Sequence, residues 1–332
     1  MTHNANEAQW LAIARRALDA YGLGRAECRI LARTHNVVFL AQDGPRRYVL
    51  RLHTYALNTH RLRAEIAWLS YLAEVCHLPV PHPLYTRDGA PYALAQDDPQ
   101  MIGVLFVYQE GQEKPLDALD SADCAAIGRL LARLHRAAQD FSPTPDSDLP
   151  RLDYNGLFGE GGRYALGGLQ SMLSDAVLEV MQQVGQQARR AFEALGQSRS
   201  SYGLIHGDLH QQNVLFHQGQ ARALDFEYCG WGYFLYDFAP LLWQLKLRPE
   251  YAALEQALWE GYHSLLPLPS AWRDHLETLV AARHVASIRW LALNHENPSV
   301  YPHAQAMMEQ RAAELRHFLA EGRLERAPFK AG

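Results

Sequence analysis

HGDLHQQN at residues 206–213, with LDF at residues 224–226, is the stretch of this chain that decides its fold. An asparagine stands five residues after the first aspartate, and a second aspartate stands twelve residues beyond that asparagine. Carboxylate and amide oxygens are the ligands that Mg²⁺ prefers in proteins. A further carboxylate held in a loop is suited to orient an attacking hydroxyl group. These residue types at this spacing predict a centre for phosphoryl transfer.

The surroundings of the motif assign a role to each of its polar residues. Short apolar segments at 202–205, 213–217 and 221–225 predict strands, with a tight turn at 217–220. Asp208 then lies in a loop and is the predicted catalytic residue, which accepts the proton of a hydroxyl group. Asn213 opens one strand and Asp225 ends its neighbour, so both are predicted to hold Mg²⁺ from one edge of a hairpin.

Length and composition limit the class of protein. The 332 residues suffice for two domains, and 48% hydrophobic against 20% charged residues is typical of a globular protein. A formal charge of -5 argues against a nucleic-acid-binding protein. Neither a signal peptide nor an apolar run of the roughly 18–20 residues that span a membrane is visible. The four cysteines are widely spaced and form no CxxC pair, so we interpret them as reduced thiols. We therefore expect a protein of the cytoplasm.

The periodicity of apolar residues predicts an α+β fold with two parts. An initial helix covers residues 10–21, and a main helix covers residues 59–75. A hairpin is expected at the Asp-Gly pair of residues 88–89. The predicted N-terminal strands are 27–33, 36–42, 47–53 and 101–108. The predicted C-terminal helices begin at about residue 121 and then cover 168–195, 236–246, 249–265 and 271–295. We therefore expect an N-terminal lobe at residues 1–108, built on a small antiparallel sheet, and a larger, mostly helical lobe at residues 109–332.

The motif HGDLHQQNVLF, with ALDFE and YDFA downstream, resembles the aminoglycoside phosphotransferase and choline kinase family. The spacing from HGD to Asn213, and the aspartate of the LDF motif, are the signature of that family. The resemblance covers residues 30–245 and implies a protein-kinase-like fold of two lobes, with ATP between them. It also implies that His206 and Asp237 brace the catalytic loop, that His135 is structural and that His210 fills a variable position. A zinc site would need ligands at spacings that the sequence lacks.

The resemblance also implies a nucleotide site in the N-terminal part. Arg51 stands in the third strand, where the wider kinase fold carries a lysine that binds the α- and β-phosphates. Glu65 of the next helix is placed to pair with Arg51, and an ordinary surface ion pair is the alternative. Thr34, His35 and Asn36 are expected to cover the phosphates, and a plain β-turn is the alternative there.

The adenine is expected against residues 106–111, which join the lobes. Phe106 and Tyr108 belong to this segment, whose backbone offers hydrogen bonds and whose side chains offer an apolar floor. An interior strand followed by a loop glycine is the alternative interpretation.

These observations predict an ATP- and Mg²⁺-dependent phosphotransferase that acts on a hydroxyl group of a small molecule. Amino sugars, amino alcohols, choline-like and homoserine-like acceptors all remain open. Glu227, two residues beyond Asp225, adds negative charge and together with Asp208 favours a cationic acceptor, unless the Glu227 side chain is simply solvated. Helices at 236–295 are expected to build the acceptor pocket, and the candidates for lining it are Arg283, His284, Trp290 and Asn294. The alternatives are a protein Ser/Thr kinase of the bacterial stress-response type, or a nucleotide-binding pseudokinase.

Overall fold

The chain divides into two compact units. A computed structural model describes residues 7–33, 36–54, 57–96, 100–143, 147–296 and 303–324. Unit 1 comprises Met1–Glu110 and Ser142–Asp148, and unit 2 comprises Gly111–Phe141 and Leu149–Gly332. The division into domains at 1–108 and 109–332 stays a prediction.

Unit 1 is a six-stranded antiparallel sheet with two helices. Its elements are α1 (Glu7–Ala20), β1 (Glu27–Arg33), β2 (Asn36–Asp43), β3 (Arg46–His53), α2 (Thr59–Ser70), β4 (Pro83–Leu84), β5 (Ala93–Gln96) and β6 (Met101–Val107). The strand order is β1-β2-β3-β6-β4, and β5 also pairs with β6. The predicted meander of the first three strands is therefore confirmed. The predicted helix at 59–75 is also present, with its last turn, Tyr71–Val75, wound as a π-helix.

The two faces of this sheet carry different residues, because side chains alternate along each strand. Leu50 and Leu52 of β3 lie in the buried core that α1 covers. Arg51 stands between them and therefore projects from the opposite face, directly beside Val104 of β6 in the strand register. The alternation in β3 thus places the core residues on one face of the sheet and the Arg51 guanidinium on the other.

The turn predicted at residues 88–89 forms, but the predicted hairpin does not. The Gly89 N–H donates to the Thr86 carbonyl at 2.9 Å. β4 and β5 both run antiparallel to β6, one at residues 105–106 and the other at residues 101–103. They lie end to end along β6 because this buried strand is long enough to pair with both in succession.

Unit 2 is mostly helical and carries two small sheets. Its elements are α3 (Ser121–Asp140), β7 (Arg151–Leu152), α4 (Tyr154–Phe158), α5 (Asp175–Leu195), β8 (Tyr202–Ile205), β9 (Val214–His217), β10 (Gln220–Ala223), β11 (Gly230–Tyr233), α6 (Ala239–Leu245), α7 (Tyr251–His263), α8 (Leu276–Leu293) and α9 (Ala304–Glu321). β9 and β10 form a hairpin, and β11 pairs with both β7 and β8. α8 packs against α5, α6 and α9. It is buried on nearly every side, as a helix that is apolar all round must be.

Three helices predicted for unit 2 begin later than expected, and one strand was not predicted. The helices predicted from residues 236 and 271 begin at Ala239 and Leu276, each after a 3₁₀ segment. The helix predicted from residue 168 begins at Asp175, because the Ser174 hydroxyl accepts a hydrogen bond from the Val177 N–H and caps the helix there. A 3₁₀ segment, Gly167–Met172, precedes it. β11 was not predicted, since its Gly-Trp-Gly-Tyr sequence lacks the β-branched residues that indicate a strand.

Candidate active site

Asn213 and Asp225 flank the hairpin of β9 and β10. The two strands pair from Val214 opposite Ala223 onwards, so both residues stand at the same end of the hairpin. The Leu224 N–H donates to the Asn213 carbonyl at 2.8 Å, which holds the residue before Asp225 against Asn213. The predicted hairpin is confirmed, but both residues lie just outside its strands. Asp225 adopts a left-handed backbone with φ 55° and ψ 75°, which Asp tolerates better than most residues.

The loop before Asp208 is shaped by Gly207 and Asp237. Gly207 has φ 77°, and a Cβ atom there would lie 2.6 Å from the Tyr228 carbonyl oxygen, so only glycine fits. The Asp237 carboxylate accepts the Gly207 N–H at 2.7 Å and the His206 N–H at 2.9 Å. Asp237 is fully buried, and His135 contacts it at 3.1 Å. The predicted bracing role of Asp237 is confirmed.

His206 connects this loop to the end of β10. Its Nε2–H donates to the Leu224 carbonyl at 2.8 Å, because a carbonyl oxygen only accepts. Its Nδ1 is then the acceptor, and the Asp208 N–H lies 3.3 Å from it. One imidazole in one tautomer therefore joins the backbone at Asp208 to the residue before Asp225.

Asp208 is an ionised carboxylate with a cationic partner. Its Oδ1 accepts a hydrogen bond from Arg283 Nη2 at 2.7 Å, and its Oδ2 lies 3.5 Å from His210 Nε2. Asn213 Nδ2 donates to the Asp208 backbone carbonyl at 2.9 Å. Burial is the largest single influence and raises the pKa of Asp208, but Arg283, His210 and His206 together outweigh it and bring the pKa to about 2. Asp208 therefore carries a full negative charge at neutral pH.

The residues near the hairpin suit a hard divalent cation that takes most of its ligands from elsewhere. Among the described residues no group of three or more His, Cys, Asp or Glu side chains converges on one point. An amide oxygen from Asn213 and a carboxylate from Asp225 are ligand types that Mg²⁺ accepts. Mg²⁺ commonly completes its shell with water and substrate phosphates, so two protein ligands fit it.

Arg51 and Glu65 form a buried ion pair. Arg51 Nη2 donates to Glu65 Oε1 at 2.6 Å, and the two side chains are 9% and 5% exposed. The alternative of an ordinary surface ion pair is therefore wrong. The Arg51 guanidinium also lies 5.3 Å from the centre of the Phe106 ring, so these three predicted residues meet in unit 1.

The other residues predicted to bind the nucleotide are less close to one another. Thr34 and His35 lie outside the described residues, whereas Asn36 is buried at the start of β2. The Tyr108 ring packs under the Arg47 guanidinium, 4.2 Å away. Both residues line an open pocket of about 480 Å³ that Arg51 and Phe106 do not line.

Two residues of the glycine-rich segment at 156–168, Arg163 and Tyr164, lie near the catalytic loop, and no sequence pattern indicated them. The Arg163 guanidinium stacks on the Tyr228 ring at 3.6 Å and donates to the Glu227 carbonyl at 3.3 Å. Tyr164 is buried, and its pKa is raised to about 12 by that burial, with the Arg283 charge acting in the opposite direction. Four residues were predicted to line the acceptor pocket. Within the described part of the chain, Arg283 is the only one of them that forms a hydrogen bond with Asp208.

The other residues predicted to line the acceptor pocket, on α8 and directly after it, have other neighbours. His284 is buried between Trp243 and Glu314. Asn294 donates to the Trp290 carbonyl at 2.9 Å.

Across the described ranges, no helix combines the length and the apolar character that crossing a membrane requires.

Known proteins resemble this chain in sequence and in structure. Homoserine kinase of Rhodospirillum rubrum is 29% identical over 76% of this chain and 76% of its own length. Amicoumacin kinase of Bacillus subtilis is 23% identical over 81% of each chain. A microcompartment-associated aminopropanol kinase superposes with a TM-score of 0.81 at 24% identity, over 96% of this chain and 100% of that one. This likeness shows that the fold is protein-kinase-like, as predicted. Since residues 27–275 match the family over most of the sequence, the chain belongs to the phosphotransferase enzyme family.

Proposed function

We propose that this protein transfers the γ-phosphate of ATP to a hydroxyl group of a small molecule. The observation that carries the proposal is the state of Asp208. Its carboxylate is ionised, its backbone N–H is bound by His206, and its carbonyl is bound by Asn213. A carboxylate held this firmly is suited to orient a hydroxyl group for attack on phosphorus.

The other residues of the motif divide the remaining tasks. Arg51, held by Glu65, binds phosphate oxygens of ATP, for which a guanidinium is well suited. Asn213 and Asp225 would hold Mg²⁺, which when bound neutralises negative charge on the phosphates. The left-handed backbone of Asp225 turns the chain sharply at the end of β10.

The reaction forms one bond and breaks one bond at the γ-phosphorus. The acceptor oxygen bonds to phosphorus, the bond from phosphorus to the bridging β,γ-oxygen breaks, and ADP leaves. The hydroxyl proton passes to Asp208. Because the pKa of Asp208 is only about 2, it is a weak base. Most of the acceleration therefore comes from positioning and from stabilising charge.

The relatives support a small-molecule acceptor. Their names specify homoserine, amicoumacin and aminopropanol as the molecules that they phosphorylate. Each of these relatives is matched over at least 76% of its length.

Replacement of Asp225 by alanine tests the proposal. We expect D225A to lose phosphotransfer by about a thousandfold or more, because the metal-dependent stabilisation of charge is lost. The side chain is exposed, so the fold should persist. The measurement is transfer from γ-labelled ATP across a panel of amino alcohols, hydroxy amino acids, aminoglycosides and a generic protein substrate.

The matched control is D140N, which alters an exposed carboxylate at the end of α3 that pairs with Arg199. This variant should retain wild-type transfer. Near-normal transfer by D225A would contradict the assignment, and transfer to the protein substrate alone would contradict a small-molecule acceptor.

A further inference from the structure

Beside the proposed base lies a buried arginine with unused hydrogen-bonding capacity. Arg283 is only 9% exposed, and a guanidinium carries five N–H donors. Within the described part of the chain its one hydrogen bond runs from Nη2 to Asp208 Oδ1 at 2.7 Å. Its Nε–H is buried and meets no acceptor there. The guanidinium therefore has hydrogen-bonding capacity that the ion pair with Asp208 does not use.

A second arginine lies close to Arg283. The Arg283 and Arg311 guanidinium groups lie 5.3 and 5.2 Å from the centre of the same Trp243 ring. Burial, followed by the Arg283 charge, lowers the pKa of Arg311 to about 10, so both groups remain cationic at neutral pH. Lys246 and Glu314 neutralise each other.

We propose that Arg283 binds a carboxylate of the acceptor, and that the substrate is therefore a hydroxy acid or a hydroxy amino acid. This inference rests on the proposed function, whose hydroxyl acceptor it specifies. The planar guanidinium fork matches a carboxylate, and its Asp208 contact leaves further N–H groups for the ligand.

The charge near Glu227 agrees with an anionic group in the acceptor. Glu227 by itself would favour a cation, but Arg163 donates to the Glu227 carbonyl and brings a positive charge next to that residue. Asp208 is likewise paired with Arg283. The two acidic residues that pointed to a cationic acceptor in the sequence thus each have an arginine beside them.

The test uses acceptor pairs that differ by one carboxylate. L-Homoserine is compared with 3-aminopropan-1-ol, and L-threonine with 1-aminopropan-2-ol, in steady-state assays of the full chain. We expect the wild type to prefer the acid in at least one pair by roughly 100-fold or more in kcat/KM, because a site built to bind a polar group rejects the analogue that lacks it. In R283M that preference should fall to about tenfold or less, chiefly through a higher KM for the acid.

The ratio within a pair is insensitive to partial misfolding, because both acceptors meet the same enzyme preparation. R311M is the matched control, since Arg311 faces the same Trp243 ring but donates to the Ser287 carbonyl at 2.9 Å. Its ratio should stay near that of the wild type. R283K should recover part of the preference. L-2-Aminobutyrate, which lacks the hydroxyl group of homoserine, should compete with homoserine in the wild type and much less in R283M.

Different failures have different meanings. Equal kcat/KM for both members of each wild-type pair overturns this inference and leaves the proposed function standing. Transfer only to an aminoglycoside has the same meaning. An equal decrease in kcat/KM of R283M for the acid and the amine also overturns this inference and leaves the proposed function standing. Absence of transfer to any hydroxyl acceptor overturns the proposed function and this inference with it.

Discussion

Asp237 shows how one carboxylate outside the chemistry determines the shape of the catalytic loop. It is fully buried and accepts hydrogen bonds from two consecutive backbone N–H groups, those of His206 and Gly207. His135 contacts the same carboxylate from α3. The aspartate sits 29 residues after Asp208 in the sequence and holds the loop only because the chain returns to it.

Replacement of Asp237 by asparagine should therefore destabilise the protein. One carboxylate oxygen becomes an NH₂ group that faces an N–H donor, so a buried hydrogen bond is lost and two donors meet. We expect a decrease of about 2–4 kcal/mol in the free energy of unfolding. Urea denaturation at neutral pH measures it. D175N, at an exposed position in the first turn of α5, should change that free energy little. A D237N protein as stable as the wild type would contradict the bracing role.

At the scale of elements, a polar network joins α6, α8 and α9. The Trp243 indole N–H can only donate, so His284 Nδ1 accepts it and His284 Nε2 carries the proton. His284 Nε2 lies 3.0 Å from Glu314 Oε2, and Lys246 pairs with the same carboxylate. Burial lowers the pKa of His284 to about 4. The network therefore holds a neutral imidazole in the middle of three helices.

This neutral imidazole predicts a loss of stability in mild acid. In the unfolded chain His284 titrates near 6.5, whereas in the folded protein it resists protonation until about pH 4. Its contribution is complete above 6.5 and is lost as the pH falls towards 4. Between about pH 7.5 and pH 5 we expect His284 to account for a decrease of about 2 kcal/mol in the free energy of unfolding.

The measurement is urea denaturation at both pH values for the wild type and H284Q. Glutamine retains an acceptor for Trp243 and a donor for Glu314 but does not titrate, so its pH dependence should be smaller by that amount. H60Q, which replaces an exposed histidine, serves as the control and should keep the wild-type slope. An H284Q slope equal to that of the wild type would contradict the interpretation.

The elements themselves were predictable where local pattern decides them. The alternation in β1 to β3 and the helical spacing in α1 and α3 identified each element to within a few residues. The pairing of β4 and β5 with β6 was not predictable, because a turn does not specify which strand its flanks will join. The start of α5 was missed since polar residues occur on both sides of Ser174, and only the cap distinguishes them.

At the scale of the whole molecule, each unit contributes a different part of the proposed reaction. Unit 1 carries Arg51 with Glu65, and unit 2 carries Asp208, Asn213 and Asp225. Binding of nucleotide and transfer of phosphate are therefore expected to respond to different substitutions.

Thermal denaturation with and without Mg·ATP measures this separation. A ligand at about 100 times its Kd adds about 2.7 kcal/mol of stability. The wild type and D208N should both gain stability, because Asp208 acts on the acceptor. R51Q should gain little, relative to its own baseline, because the guanidinium proposed to bind phosphate is gone. R63Q, an exposed arginine of α2, is the control and should keep the full gain. A full gain in R51Q would contradict the role of Arg51.

The sequence by itself determined the chemistry of this protein, because the spacing of Asp208, Asn213 and Asp225 is a local property of one loop and one hairpin. It also indicated Arg51 and Glu65, whose strand and helix are adjacent in the chain. Only the tertiary structure decided that Arg283, 75 residues beyond Asp208, donates to its carboxylate. No local pattern encodes that contact, since it depends on how α8 is buried among its neighbours. The proposed choice of acceptor thus depends on packing, whereas the proposed phosphoryl-transfer centre depends on local sequence.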